Sequence, residues 1–337
     1  KKGTGSRGVP HRLNLDERFL FDNARKKGFL ETEGSGWRSQ RREAPLLNTY
    51  RSLCDARGQA SIVLHKGSAG IDELVCDISP LRNPEIFDEV IHDGVLDYLD
   101  SMYGGETADN LALVLIPGDL VDYGNTYNQW EEDFFDPASD LLESVPLYPV
   151  LGNHEANTSY YFQYFKLPEN GTEEYEEHWW WKDYGNVRFI GLNSNSPYNG
   201  DEQLNWLDNI LNSTCSADSI DFVFAELHHP HKSELWTPGE SVFSGDVVEK
   251  LENFSTQCGK PSVHFFGHTH GYSRGQSRDH KHVWLNVATA GGAIDYWGEW
   301  PQFDYEEFTV SEDDWGFVMV DVEAGDEPKF TIKRLSR

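Results

Sequence analysis

Four short stretches carry the residues best suited to chemistry. They are Gly118-Asp119-Leu120-Val121-Asp122-Tyr123-Gly124, Gly152-Asn153-His154-Glu155, His228-His229-Pro230 and Gly267-His268-Thr269-His270. Each lies at the end of an apolar run: residues 113–116, 146–151, 222–227 and 263–266. A single Gly-Asp or His-x-Pro after such a run is ordinary turn or cap chemistry. Four ligand-bearing turns at the same place in a strand–helix repeat point instead to a metal site. Its candidate ligands are Asp119, Asn153, His228, His268 and His270. Carboxylate, amide and imidazole together suit first-row divalent or trivalent ions such as Zn, Mn or Fe.

The elements that must position these residues are legible. Short apolar runs bounded by turn residues read as strands buried on both faces of a parallel sheet, whose carboxyl ends are where α/β folds bind ligands. Residues 84–102 form an amphipathic helix, with Phe87, Val90, Ile91, Val95, Tyr98, Leu99 and Met102 on one face. Helices are also expected over 130–142, interrupted at Pro137, and over 247–254. Leu204, Leu207, Ile210 and Leu211 mark one face of a short helix. Residues 187–192, 283–288, 317–322 and 330–333 read as further strands. The expected class is α/β.

Composition bounds the function. The chain of 337 residues carries 11 Trp, 15 Tyr and 19 Phe, enough for a large core, so disorder throughout is excluded. A net charge of −29 excludes nucleic acid as an indiscriminate partner. A phosphate substrate would need a local positive centre, which bound metal provides. Charge is unevenly spread: residues 1–70 hold 14 Lys and Arg against 7 Asp and Glu, and the remainder is strongly acidic. Residues 1–60 are therefore read as a basic extension or the remnant of an accessory domain, and 61–337 as the catalytic domain. The acidic part suits extracellular or periplasmic surroundings.

The four cysteines, Cys54, Cys76, Cys215 and Cys258, show no CxxC spacing. Cys215–Cys258 is the preferred disulfide, since both follow polar helix-like segments; four free thiols are the alternative. Sequons at Asn157, Asn170, Asn212 and Asn253 permit glycosylation in a secreted protein. No stretch approaches the ~20 apolar residues of a membrane span. The chain opens on Lys1-Lys2 without an apolar leader, so any signal peptide is expected to be removed or never present.

In order and spacing, the four motifs resemble those of the calcineurin-like metallophosphoesterases, over about residues 72–325. His268-Thr269-His270-Gly271-Tyr272-Ser273-Arg274 is also similar to the corresponding stretch of purple acid phosphatases. The resemblance implies a four-layer α/β/β/α sandwich and a dinuclear metal centre. Asp119 would bridge both ions. Asn153, His228 and His268 would hold the second, and His270 the first, together with an upstream Asp. His154 would act as acid or transition-state stabiliser. A hydroxide bridging the ions would attack phosphorus in line with the leaving oxygen.

The upstream motif departs from the family. Its best match is Leu74-Val75-Cys76-Asp77-Ile78-Ser79, with Asp77 as the ligand and Ser79 where the family has His. The first site is then weaker, completed by a substitute such as Asp122 or Tyr123, or missing its ion. His229, Tyr272 and Arg274 are candidate substrate contacts. The expected activity is hydrolysis of small phosphate monoesters. A phosphodiesterase of the same family is one alternative, and a non-catalytic binding or structural protein that keeps the fold is another.

Overall fold

The computed structural model describes residues 70–75 and 84–336. Residues 1–60, Asp77, Ser79, Cys54 and Cys76 lie outside the described residues.

Among the described residues, twelve strands form two sheets. The first has the order β12-β11-β1-β2-β3. Here β1 is Gly70–Val75, β2 Val114–Ile116, β3 Leu147–Pro149, β11 Gly316–Glu323 and β12 Lys329–Ser336. β1, β2 and β3 run parallel, while β11 and β12 are antiparallel additions. The second sheet has the order β10-β8-β9-β7-β6-β5-β4. Its parallel centre is β5 (Val187–Gly191), β6 (Phe222–Glu226), β7 (Ser262–Phe266) and β9 (His282–Ala288). The flanking strands β4 (Trp180–Tyr184), β8 (Gly271–Gln276) and β10 (Phe308–Glu312) are antiparallel.

Helices cover the outer faces. Helix α1 runs through Pro84–Glu89, Val90–Leu96 and Asp97–Met102, the middle stretch wound as a π-helix. Helix α2 runs through Tyr127–Gln129, Trp130–Phe135 and Asp136–Leu142. The interruption expected at Pro137 does not occur. The proline falls in the first turn of the α-helical stretch that follows a π-wound one, where its missing N–H breaks no regular ladder. A short helix α3 (Ser159–Tyr164) follows, then α4 (Asp201–Cys215) and α5 (Val242–Cys258), both longer than their apolar stripes suggested.

Strand alternation separates the layers. On β6, Phe222 and Phe224 face the first sheet, their rings 5.2 and 5.3 Å from Phe330 of β12. Val223 and Ala225 face the other way and share a core with Leu207 and Leu211 of α4 and Val247 and Leu251 of α5. On the opposite side, Tyr98 of α1 packs edge-on against Phe317 of β11 at 6.2 Å. The order helix, sheet, sheet, helix is the expected four-layer sandwich. A Cys215–Cys258 disulfide joins the ends of α4 and α5.

Candidate metal centre

The parallel strands of both sheets deliver their carboxyl ends to one place. Two residues there take a left-handed backbone without being glycine: Asp119, with φ 55°, and His268, with φ 67°. Such conformations cost about 1–3 kcal/mol and persist where surrounding structure enforces them, commonly at functional sites. The enforcing contacts are visible. A Cβ added to Gly118, itself at φ 93°, would lie 2.6 Å from Gly152 N and 2.8 Å from His228 Nδ1. One added to Gly152 would collide with Asp119. Three strand ends thus meet more closely than any side chain allows.

Buried hydrogen bonds lock the approach. The Glu155 carboxylate accepts from the backbone N–H groups of Asp119, Leu120, Val121 and Gly152 at 2.9, 2.7, 3.3 and 2.7 Å. It ties the turn after β2 to the turn after β3. Asn195, past the end of β5, donates to the carbonyls of Leu151 and Gly152 at 2.9 and 3.3 Å, linking the two sheets. His228 Nδ1 donates to Pro117 O at 2.8 Å, a second link between sheets.

That last bond decides what the centre can hold. A carbonyl only accepts, so the His228 proton sits on Nδ1, and the neutral ring turns an Nε2 lone pair inward. Around this Nε2 lie Asn153 Oδ1 at 2.9 Å, His268 Nδ1 at 3.1 Å and Asp119 Oδ2 at 3.1 Å. The two oxygens are acceptors as well. Lone pairs from the β2, β3 and β6 ends therefore converge, with a His268 ring nitrogen from the β7 end beside them, an arrangement that a cation suits. Burial, then the neighbouring His228, pushes the His268 imidazole down to about 2, so it stays neutral as a ligand must. For the Asp119 carboxyl, burial alone would push upward. Protonation of His228, which would attract and hydrogen-bond the carboxylate, and then of His154, outweighs burial and would hold the group well below the usual carboxylate range. The donor set fits a metal ion.

Two more histidines follow the same pattern. His154 Nδ1 donates to Asp122 O at 2.8 Å, and its Nε2 stands 3.9 Å from Asp119 Oδ2. His270 Nδ1 donates to Ala293 O at 2.7 Å, leaving its Nε2 open. Asp295 clasps the His270 backbone: its Oδ2 accepts from His270 N and its N donates to His270 O, both at 2.8 Å. Asp77 lies outside the described residues; Val75 pairs with Leu115 in parallel, so β1 runs toward the same end as β2.

Of the expected substrate contacts, only His229 belongs here. Its ring lies 4.4 Å from that of His268, and burial pushes it down to about 3. Tyr272 requires a correction. It is buried in the core with the Arg334 guanidinium 5.0 Å over its ring, because its place on β8 turns it between the sheets. Arg274 requires one too. It stands three residues along β8 from Gly271, about 10 Å by strand rise, and donates to Thr309 at 3.4 Å. Tyr123, a possible substitute ligand, is 63% exposed. The sequence reading gave no role to Glu155, Ser194, Asn195 or Asp295. Asn193-Ser194-Asn195 follows an apolar strand as the other motifs do, a signal that marks it; nothing in the sequence marks Asp295.

Fold and site together define an α/β protein with a metal-suited centre at the strand ends. The chain belongs to the calcineurin-like phosphoesterase family, whose model matches residues 64–272. A search of curated protein sequences gave no match. Among solved structures, a purple acid phosphatase from yellow lupin (Lupinus luteus) seeds superposes with a TM-score of 0.56 at 14% identity, over 78% of this chain. This chain spans 50% of the lupin enzyme's length. GAP50, described as the anchor in the inner membrane complex of Plasmodium, gives 0.55 at 12% identity, over 80% of this chain and 85% of its own. PhoD gives 0.51 at 11%, over 82% and 71%. At these identities the likeness shows the fold. No helix among the described residues is long and apolar enough to cross a membrane.

Proposed function

We propose that this protein is a metal-dependent phosphoesterase acting on small phosphate monoesters, with two ions held at the strand ends. The observation that carries this reading is the convergence of lone pairs around His228 Nε2. Asn153, His228 and His268 would hold one ion. His270 and Asp77 would hold the other, and Asp119 would bridge them. When bound, such ions supply Lewis acidity to phosphoryl oxygens and lower the pKa of a water.

The chain's own groups do the rest. Asn153 ligates without adding negative charge, so the centre keeps its attraction for phosphate. Asp122 O holds His154 by Nδ1 and directs Nε2 toward the Asp119 side, from which, once Nε2 is protonated as well, it would give that proton to the leaving oxygen. Glu155 and Asn195 keep the turns from separating as charge develops. The net charge of −29 works against long polyanionic substrates and leaves small esters, drawn by the local positive centre. The Cys215–Cys258 disulfide and the acidic surface support a location outside the cytoplasm.

The test is hydrolysis of p-nitrophenyl phosphate against bis-p-nitrophenyl phosphate, with metal content measured on the same preparation. Faster monoester turnover that disappears on chelation supports the proposal. Faster diester turnover overturns the monoester assignment, and a fully metal-loaded protein inert toward both overturns the enzyme.

A further inference from the structure

His229 departs from the pattern of its neighbours. His154, His228 and His270 each anchor Nδ1 on a backbone carbonyl. His229 instead places Nδ1 2.8 Å from the Ser194 hydroxyl, and its own backbone N–H donates to that oxygen at 2.9 Å. Ser194 is 3% exposed, past the end of β5. A ring nitrogen of His229 lies within 4.8 Å of ligating atoms of His228 and His268, so a three-histidine metal site suggests itself.

Hydrogen-bond accounting points elsewhere. A serine hydroxyl has one proton to give. Ser194 Oγ already accepts the His229 N–H, and among the described residues it has no other hydrogen-bond partner. Were Nδ1 to donate to this oxygen instead, the buried hydroxyl proton would have no partner among the described residues, so the assignment that satisfies both groups sends it to Nδ1. A neutral imidazole that accepts at Nδ1 carries its own proton on Nε2. An Nε2–H has no lone pair for a metal; it is a donor.

We propose that His229 is a neutral N–H donor to a phosphoryl oxygen of the substrate, with Ser194 as the positioning residue that fixes its tautomer. The role rests on the phosphoesterase reading above. It gives the centre both kinds of histidine. Of those anchored on carbonyls, His228 and His270 offer lone pairs to cations, and the one anchored on a hydroxyl offers a proton to the anion those cations attract. A neutral donor suits the place, since a charged one would repel the ions beside it.

Two measurements test this. The first is long-range 1H–15N correlation on protein with 15N-labelled histidine, prepared free of metal. The wild-type His229 spectrum should show a protonated Nε2 and a bare Nδ1, and Ser194→Ala should populate the other tautomer. A protonated Nδ1 in the wild type overturns the proposal whether or not the protein is an enzyme.

The second is binding of inorganic phosphate to the metal-loaded protein. Loss of one hydrogen bond to a charged group predicts about tenfold weaker binding in His229→Ala and about threefold in Ser194→Ala. KM should rise more than kcat falls, and metal content should stay at the wild-type level. His229→Gln, whose amide nitrogen falls near the place of Nε2, should recover part of the affinity. Metal loss in His229→Ala, or unchanged phosphate binding in both alanine variants, overturns the proposal. A wild-type protein that takes up metal but neither binds nor hydrolyses phosphate esters overturns the enzyme reading instead.

Discussion

Among the described residues, two histidine clusters lie only a few residues apart along β7. His264 lies within the strand, and His268 just past its end. His264 Nδ1 and His282 Nε2 are 2.9 Å apart, and His282 Nδ1 meets Ser262 Oγ at 2.7 Å. The His264 ring stacks on Phe266 at 5.2 Å and meets Trp284 at 5.6 Å. Residues 262 and 264 share the strand face turned toward α5, where Ser262 Oγ reaches Leu251 O at 3.3 Å. Among the described residues, no carboxylate orients this pair, and His264 Nε2 has no partner. The cluster at the strand end has the same ring type with Asp119, Asn153 and three carbonyl anchors around it. Histidine content does not distinguish the two; the groups that fix tautomer and supply charge do.

Breaking the carboxylate of the outer cluster should have the largest effect. Asp119→Ala should abolish metal uptake and hydrolysis together, by more than the 10–100-fold typical of residues that only support a ligand. Metal analysis beside turnover on the same sample checks it, and retained turnover would remove Asp119 from its role. His154→Ala should keep the metal while kcat falls roughly 10²–10⁴-fold, the range for a lost general acid. A parallel loss of metal would make His154 a ligand instead.

Glu155→Gln should act through the turns. Its amide N–H2 would face backbone donors, costing about 1–3 kcal/mol in stability and roughly 10–100-fold in metal affinity. Denaturant unfolding and metal titration read the two separately.

The inner cluster should respond to acid rather than to metal. Burial pushes His264 well below the ordinary imidazole value and His282 to about 3. Unfolded, both titrate near 6.5 and bind more protons than the folded chain, so stability is full above about pH 6.5 and falls as pH drops toward about 3. In chelated protein, the melting temperature of His282→Asn should fall less steeply over that range than that of wild type. An equal slope would show that the inner pair does not titrate on unfolding. Smallest for function, reducing Cys215–Cys258 should cost about 3–4 kcal/mol of stability by chain entropy, given a sequence separation of 43, while leaving metal content unchanged.

Much of the site was legible because its candidate ligands come in local motifs. Gly118-Asp119 and Gly267-His268-Thr269-His270 advertise themselves: glycine permits the close turn, and the next residue carries the donor. Tyr272 and Arg274 misled because they sit in the same motif. Beyond Gly271 the chain becomes a strand, whose alternation sent Tyr272 into the core. Strand β4, including Trp180 and Trp181, was hidden by its acidic and aromatic mixture, and α4 and α5 run past the apolar positions that announced them.

By itself the sequence determined the α/β class and the preferred disulfide pair and named the candidate ligands, since periodicity and short motifs are properties of neighbours along the chain. Only the tertiary structure decided which proton each histidine carries. That choice depends on a partner far away in sequence: Pro117 O for His228, Ala293 O for His270, Ser194 Oγ for His229. A ring nitrogen becomes lone pair or donor according to what faces its twin, and that is fixed only when the two sheets close.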